Sequence, residues 1–486
     1  MSDIRFVDTT IRDGHQSLWA ERMTTGMMTP IAGTLDAAGF DAVEILSGSH
    51  VKKSVRELRE DPWDRIRFVA QRMPNTPLRL IAGRINTFGF DPPEMYQLFI
   101  DRMAANGVRE ARISEPWNDL PGWTRRVVSA RKAGLRPIVN LIYSVSPRHT
   151  DEYYIERTKQ AVTLAPYRLC LKDPGGLLTP ERTRTLAPAI LAHANGIPVE
   201  LHSHCNTGLG PLCAIEAVKA GIKIINTAIP PLADGASLPS IFNVAANLRA
   251  LGYNADIDDA SLRSVAKHFA VIAKREGFPV GAPVEYDETQ YQHQVPGGMI
   301  SNLGHQLAQV GKAHKLQEAL EETIRVRAEL GYPIMVTPLS QFVGSQAAIN
   351  VIVGERYKEV TDQVIRLALG QHGEEAVTLM DQNVRARILD RPRAREIMAE
   401  NPTLPTLKEL RAELAGPDTS DEELLLRWLV NKEDVAIMRQ TPPKGDYNSG
   451  RHPLVALVAS LADRADMALI EIKRPGFSVK LERKGP

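Results

Sequence analysis

The sequence predicts an α/β chain whose main body is a closed (β/α)8 barrel. Three observations predict it: eight short β-rich apolar runs, a helical segment between each pair of runs, and polar residues gathered at one end of the runs. The runs read IRFVD (4–8), DAVEIL (41–46), PLRLIAG (77–83), EARIS (110–114), RPIVNLIYS (136–144), RLCLK (168–172), PVELHSH (198–204) and KIINTAI (223–229). Their spacing is too long for hairpins and right for strand, helix, strand units. Between them lie segments of helical period such as WDRIRFVAQRM, PEMYQLFIDRMAANG and DEYYIERTKQAVTLA. Several are closed by the Gly expected after a helix C-terminus. In such barrels the active site gathers at the C-terminal ends of the strands. Asp8, Asp13, Glu44, Arg84, Glu115, Tyr143, Lys172, Asp173, His202, His204 and Thr227 all fall at or near those ends.

The chain has 486 residues, room for one barrel of about 250 residues and additions to it. Residues 1–254 hold the alternating series and are assigned to the barrel. Residues 255–440 are mostly helical with no second series, and are expected to form an extension beside the barrel mouth. Residues 441–486 contain a linker, TPPKGDYNSGRHP, and two alternating runs around a Pro-Gly turn that predict a terminal β-hairpin.

Composition narrows the function. With 59 Lys and Arg against 58 Asp and Glu, no strong field recruits nucleic acid or an acidic membrane surface, so a small molecule or a protein partner fits better. Three cysteines, Cys170, Cys205 and Cys213, are too few for a disulfide framework and lack CxxC spacing. No apolar run approaches the roughly 20 residues that span a bilayer, and the first residues carry charge where a signal peptide would be apolar. These features predict a cytoplasmic protein.

HSH at 202–204 puts two imidazoles on one side of a strand, since side chains two apart share a face. Alone, this reads equally as a polar strand end. RDGHQS after the first strand and LKDPGG at the sixth should reach the same mouth, and this favours a metal site. Asp13 with His202 and His204 is a mixed oxygen and nitrogen set suited to zinc, manganese or cobalt rather than calcium or magnesium. An ammonium beside a divalent cation is repelled. Lys172 is therefore either a counter-charge for Asp173 or Glu115, or it is carbamylated by CO2 into a carboxylate-bearing ligand. In VTPLSQ, Thr337 followed by Pro338 fits an N-cap and first helical residue, which is compatible with a hydroxyl facing the mouth. RPRAR (391–395) reads as a solvated face. His50, His268, His293, His305, His314 and His372 lack partner spacing and are expected at the surface or core edge. The tryptophans 19, 63, 117, 123 and 428 are expected as packing anchors.

These residues resemble a known family: the carboxyltransferase domains of pyruvate carboxylase, the oxaloacetate decarboxylase α subunit and the transcarboxylase subunit acting on pyruvate. The resemblance runs from about Phe6 to Arg439. It rests on DTTIRDGHQSL, EDPWDRIR, SPRHT, LKDPGGLLTP, LHSHCNTG, VPGGMISNL and VTPLSQFVGSQAAINV. It implies that Asp13, a carbamylated Lys172, His202 and His204 bind the divalent metal. It further implies that Gln16 lies at the reaction centre and that Thr337 moves a proton between substrate and biotin. Arg12, Gln16, Arg84, Glu115 and Thr337 would then face the acceptor. Carboxybiotin would arrive on a carrier and release CO2 in the dry mouth to a metal-stabilised enolate, or the reverse reaction would decarboxylate.

Departures from the family pattern bear on the acceptor. Where pyruvate-using members carry the Arg of RGxN, the register of AGRIN places Gly83, with Arg84 one position along. A one-residue slip along a strand turns a side chain to the other face. The Tyr of the family's GY pair is Phe90, and the Asp after the second strand is Lys52. Losing a charge-assisted clamp disfavours pyruvate and predicts an acceptor that differs from it or is held differently. The A/V-M-K-M biotinyl signature is absent, so the biotin carboxyl carrier and biotin carboxylase are expected as separate subunits. Relatives suggest a homodimer or larger homo-oligomer. Two rivals remain: an acyl-CoA lyase or synthase of the same barrel superfamily, which lacks the Lys172 and Thr337 segments, and a non-catalytic scaffold that binds a biotin carrier.

Overall fold

A computed structural model describes residues 3–482, apart from 87–89, 296–299, 301–302, 305–306, 310, 401–403, 417, 443–444, 446, 448–460, 462–468 and 475–476. The eight apolar runs are eight parallel strands: β1 (Arg5–Asp8), β2 (Ala42–Ser47), β3 (Leu78–Ala82), β4 (Val108–Ile113), β5 (Arg136–Ile142), β6 (Arg168–Asp173), β7 (Val199–Ser203) and β8 (Ile224–Thr227). They pair in sequence order, and β8 closes on β1 through Arg5↔Ile224 to Asp8↔Thr227. Both faces of most strands are buried, which is why they read as near-continuous apolar runs rather than alternating ones.

Two of the intervening helices start where the sequence places a capping side chain directly before Pro. Asp61 accepts from the Trp63 N–H ahead of Pro62, and Thr179 accepts from the Arg182 N–H ahead of Pro180. Trp19, Trp63, Trp117 and Trp123 are fully buried, as expected of anchors.

The barrel interior is charged. Glu44, Arg79, Glu110, Arg112 and Glu200 are all 0 % exposed. Arg79 donates to Glu110 at 2.9 Å and to both oxygens of Glu200 at 2.8 and 3.1 Å. Arg112 lies 3.0 Å from Glu44. Buried charges persist only when paired and hydrogen-bonded, and this set meets that condition.

The helices beyond the barrel sort into two groups. Asp259–Glu276 shares the barrel core through Leu262, Val265 and Phe269, and so do the helices Leu407–Leu414, Asp421–Leu429 and Lys432–Gln440 through Leu410, Leu424 and Leu425. The helices Leu316–Glu329, Leu339–Val353 and Asp362–Ala368 instead build a second core of Val326, Leu330, Phe342, Val343 and Ile365, which takes in Trp117 from the barrel. This second group roofs the mouth. Arg327 reaches Ser144 Oγ at 2.9 Å and the Val145 carbonyl at 3.1 Å, and Glu375 pairs with Arg148 and Arg157. The expected hairpin is present as β9 (Leu469–Arg474) antiparallel to β10 (Phe477–Glu482). Its Pro-Gly turn and most of the linker lie outside the described residues.

Candidate active site

After β1 the chain makes one wide, π-type turn, Thr10–Gly14, before the helix His15–Trp19. Such turns are common at functional sites, and this one carries Asp13 into the mouth. Gly14 is required there, because a Cβ would lie 2.9 Å from the Leu232 carbonyl oxygen. On β7 and just beyond it, His202 and His204 share a face. The parallel register pairs Lys172 with His202, so the lysine leaves β6 on that face too. Gly176 of LKDPGG has φ +63° and sits against the Asn206 N and His204 O, where a Cβ would meet them at 2.8 and 2.9 Å. Only Gly fits both the conformation and the space.

The ligand groups converge. Asp13 Oδ2 lies 3.4 Å from His202 Nε2, Asp13 Oδ1 lies 3.5 Å from His204 Nε2, and the two Nε2 atoms are 3.3 Å apart. Among the described residues this is the one group of three His, Cys, Asp or Glu side chains with metal-binding spacing. Their remaining atoms are oriented from behind. His204 Nδ1 donates to the Ala236 carbonyl at 2.7 Å, and His202 Nδ1 lies 3.1 Å from Asn226 Oδ1, which also accepts from Arg112 at 3.3 Å. Arg112 can only donate, so the amide oxygen of Asn226 faces both groups and His202 carries its hydrogen on Nδ1. Both Nε2 lone pairs and a carboxylate are thus turned toward one another, a donor set that could hold a divalent cation, with its outer hydrogen bonds in place.

The electrostatics agree. Burial would raise the Asp13 pKa, but Arg12 and the two histidines overcome it and hold the carboxyl well below its usual range. Burial, with Arg112 adding to it, pushes His202 down to about 3 and keeps it neutral. Burial, then Arg112 and Arg12, pushes Lys172 down to about 8. Among the described residues Lys172 forms no ion pair with Asp173 or Glu115. Asp173 accepts the backbone N–H groups of Leu177 and Leu178 at 2.8 Å each and the Ser203 hydroxyl at 3.0 Å, while Glu115 pairs with Arg126 at 2.5 Å.

Arg12 braces the site, donating to Glu44 at 3.0 and 2.8 Å, to Gln16 Oε1 at 3.1 Å, and to Asp13. Arg84 lies at the rim beyond β3, and its guanidinium hydrogen-bonds His372 Nδ1 at 3.1 Å. Thr337 is exposed and does not cap a helix: Leu339–Val353 begins after Pro338, with no side-chain cap, because the proline rather than the threonine directly precedes the first turn. Four histidines expected at the surface or core edge are buried with partners: His50 on Ser47, His268 on the Met27 carbonyl, His293 on the Val295 N–H and His372 on Arg84. Each has a polar neighbour far away in sequence or hidden in a turn, which spacing along the chain does not reveal. His314 is exposed, as expected, and His305 and most of VPGGM lie outside the described residues. Sequence reasoning missed Arg112, Asn226 and the Ala236 carbonyl. Polar residues at mid-strand positions of apolar runs, Glu44, Arg79, Arg112, Glu200 and Asn226, were the available signal for the first two.

A closed (β/α)8 barrel, an Asp-His-His set that could hold a metal beside a buried lysine at its mouth, and a helical roof together define the architecture of a barrel enzyme. Residues 291–456 match the conserved carboxylase domain family, and residues 123–268 match the HMGL-like family. A pyruvate carboxylase subunit of Methanocaldococcus jannaschii is 32% identical over 489 residues, covering 99% of this chain and 85% of that protein. The 2-oxoglutarate carboxylase large subunit of Hydrogenobacter thermophilus is 32% identical over 441 residues, covering 87% of this chain and 66% of that protein. The carboxyl transferase domain of Rhizobium etli pyruvate carboxylase, solved with oxamate and biotin, superposes with a TM-score of 0.81 at 22% identity, covering 90% of this chain and 77% of that one. The chain belongs to the biotin-dependent carboxyltransferase family that includes the archaeal pyruvate carboxylase subunit, and it is a carboxyltransferase subunit of a multi-subunit enzyme. The HMGL-like match reflects a barrel shared with the lyase branch, and the carboxylase-domain match over the extension separates this chain from it. Enzymes of this type use a divalent metal and biotin. Among the described residues no helix is long and apolar enough to cross a membrane.

Proposed function

We propose that Asp13, His202 and His204 hold a zinc, manganese or cobalt ion with Lys172, carbamylated by CO2, as the fourth ligand, and that the site transfers a carboxyl group between biotin and a small 2-oxo acid. The observation that carries this reading is the convergence of two imidazole Nε2 atoms and a carboxylate within 3.5 Å of one another, with the outer imidazole nitrogens already engaged. Such a trio is repulsive without a cation between its lone pairs. When bound, the cation supplies a Lewis acid that polarises the 2-oxo group.

The chain's own groups do the rest. Arg12 fixes the Asp13 carboxylate and the Gln16 amide at once, which keeps Gln16 turned toward the reaction centre. Burial lowers Lys172 to about 8, so a far larger fraction of its amine is neutral near pH 7 than for an ordinary lysine, and the neutral amine is the form that adds CO2. Thr337 moves a proton between the acceptor and biotin, and its exposed position just before the roof helix Leu339–Val353 suits a group that meets a visiting cofactor. Glu115, tied to Arg126, and Arg84 flank the acceptor side.

Biotin arrives on a separate carboxyl carrier that a separate biotin carboxylase subunit loads, and the chain works as a homodimer or larger homo-oligomer. The three cysteines are free and buried, in keeping with the reducing cytoplasm. The names of relatives, one for pyruvate and one for 2-oxoglutarate, leave the acceptor open. The test is metal analysis joined to 13C NMR of protein equilibrated with labelled CO2. One equivalent of metal and a carbamate signal that Lys172→Ala removes are expected. Metal-free protein with no carbamate would reject the reading and favour a scaffold.

A further inference from the structure

The rim formed by the loops after β2 and β3 carries two cations. Lys52 stands on the short helix Gly48–Lys53, and its ammonium donates to Asn86 Oδ1 at 2.7 Å. Arg84 stands two residues before Asn86, on the adjoining loop. The loops touch, since a Cβ on Gly48 would come within 3.1 Å of the Arg84 carbonyl oxygen. Among the described residues neither cation forms an ion pair. The carboxylates that neighbour Arg84 are engaged elsewhere: Glu115 with Arg126, and Asp91 with the backbone N–H groups of Ile85 and Asn86 at 2.9 Å each.

What Arg84 does contact is a roof residue. Its guanidinium donates to His372 Nδ1 at 3.1 Å and lies 5.9 Å from the Phe90 ring, which itself stacks on His372 at 5.6 Å. A guanidinium can only donate, so Nδ1 accepts and the imidazole hydrogen sits on Nε2. That Nε2–H is buried and has no partner among the described residues. Burial first and Arg84 second push His372 down to about 3, so the ring is neutral. The rim therefore presents two cations whose only hydrogen-bond acceptors among the described residues are neutral, Asn86 Oδ1 and His372 Nδ1, with an unpartnered N–H buried behind Arg84.

We propose that Lys52 and Arg84, with His372 of the roof behind Arg84, form a second anion subsite that selects 2-oxo acids bearing another carboxylate remote from the reacting carbonyl. This deepens the reading above and rests on it. The metal and Arg12 side takes the 2-oxo end, and the rim takes the far carboxylate. Discrimination against a monocarboxylate of similar length then comes from leaving rim donors unpaired, the situation in which polar sites reject analogues most strongly. His372 acts as a positioning residue through Arg84.

The experiment follows deuterium exchange at carbon 3 of pyruvate, 2-oxobutyrate and 2-oxoglutarate by NMR, using the full metal-loaded chain with free biotin. The expected result is at least a tenfold preference in kcat/KM for 2-oxoglutarate over 2-oxobutyrate. Arg84→Gln should collapse that ratio chiefly through KM, Arg84→Lys should restore part of it, and Lys52→Gln and His372→Leu should shrink it several-fold. A preference for the monocarboxylates, or a ratio unmoved by Arg84→Gln, overturns the subsite while leaving the carboxyltransfer reading intact. Exchange with none of the three acids overturns that reading and the subsite together.

Discussion

Arg79 and Glu200 inside the barrel and Asp13 and His202 at its mouth are similarly withdrawn from water, yet their surroundings differ. In the interior every guanidinium meets carboxylates: Arg79 holds Glu110 and Glu200, and Arg112 holds Glu44. At the mouth the acceptors face one another, two imidazole nitrogens and a carboxylate, with a lysine beside them that forms no ion pair among the described residues. The two regions are joined through Arg12 and Glu44, so the mouth is held rigid by a floor whose charges are already satisfied. A fold can therefore keep an unbalanced ligand set in place if the imbalance is confined to one layer and braced by a balanced layer below.

Breaking the floor should have the largest effect. Arg79→Met leaves Glu110 and Glu200 buried without their shared partner and is expected to cost about 3–5 kcal/mol of stability, read from a urea denaturation midpoint. A loss no greater than that of a surface variant would show that the floor is not a balanced layer.

The mouth should respond in the opposite way. His204→Ala is expected to cost the metal-free protein much less than Arg79→Met. It should also abolish the gain in stability that wild type shows on adding manganese or zinc, about 2.7 kcal/mol at a hundredfold excess over Kd. One step back, Asn226→Leu keeps all the ligands but frees the His202 tautomer, and metal affinity measured by competition with a chelator should weaken about 10- to 100-fold.

The roof offers a titration. His372 has a folded pKa of about 3 against an ordinary value of 6.5. Between those values the unfolded chain binds a proton that the folded chain refuses, so stability falls as pH drops from 6.5 toward 3 and is unaffected above that window. His372→Leu should make this decline shallower by up to about 1.4 kcal/mol per pH unit, seen by comparing denaturation midpoints at pH 7.5 and 5. The smallest change in stability is expected for Thr337→Ala. Its hydroxyl is exposed and caps nothing, so the midpoint should move by less than about 0.5 kcal/mol while turnover stops.

The strands were legible because a parallel strand covered on both faces must be apolar throughout, and RLCLK or KIINTAI can hardly be read otherwise. The convergence of Asp13, His202 and His204 was legible because each lies in a compact local motif: Asp13 in a turn that needs Gly14, and His202 and His204 two apart at the end of one strand. What stayed hidden depended on atoms that no side-chain alphabet records, such as the Ala236 carbonyl behind His204, or on partners far along the chain, such as His372 for Arg84. Thr337 misled for a local reason, since a Thr-Pro pair is a good helix start only when the helix begins at the proline, and here it begins one residue later. The helices after residue 255 show an apolar face each, and that periodicity says a face is buried without saying in which of two cores.

The order of parts along the chain also has a temporal meaning. Every group proposed to grip the cation has been synthesised by His204, and the barrel can close once β8 reaches β1, whereas the roof that ties down Ser144, Arg148 and Arg84 comes from segments made much later. During translation the ligand cup is thus finished and open to the surrounding ions before anything covers it, so cation loading does not have to wait for, or work around, the finished roof.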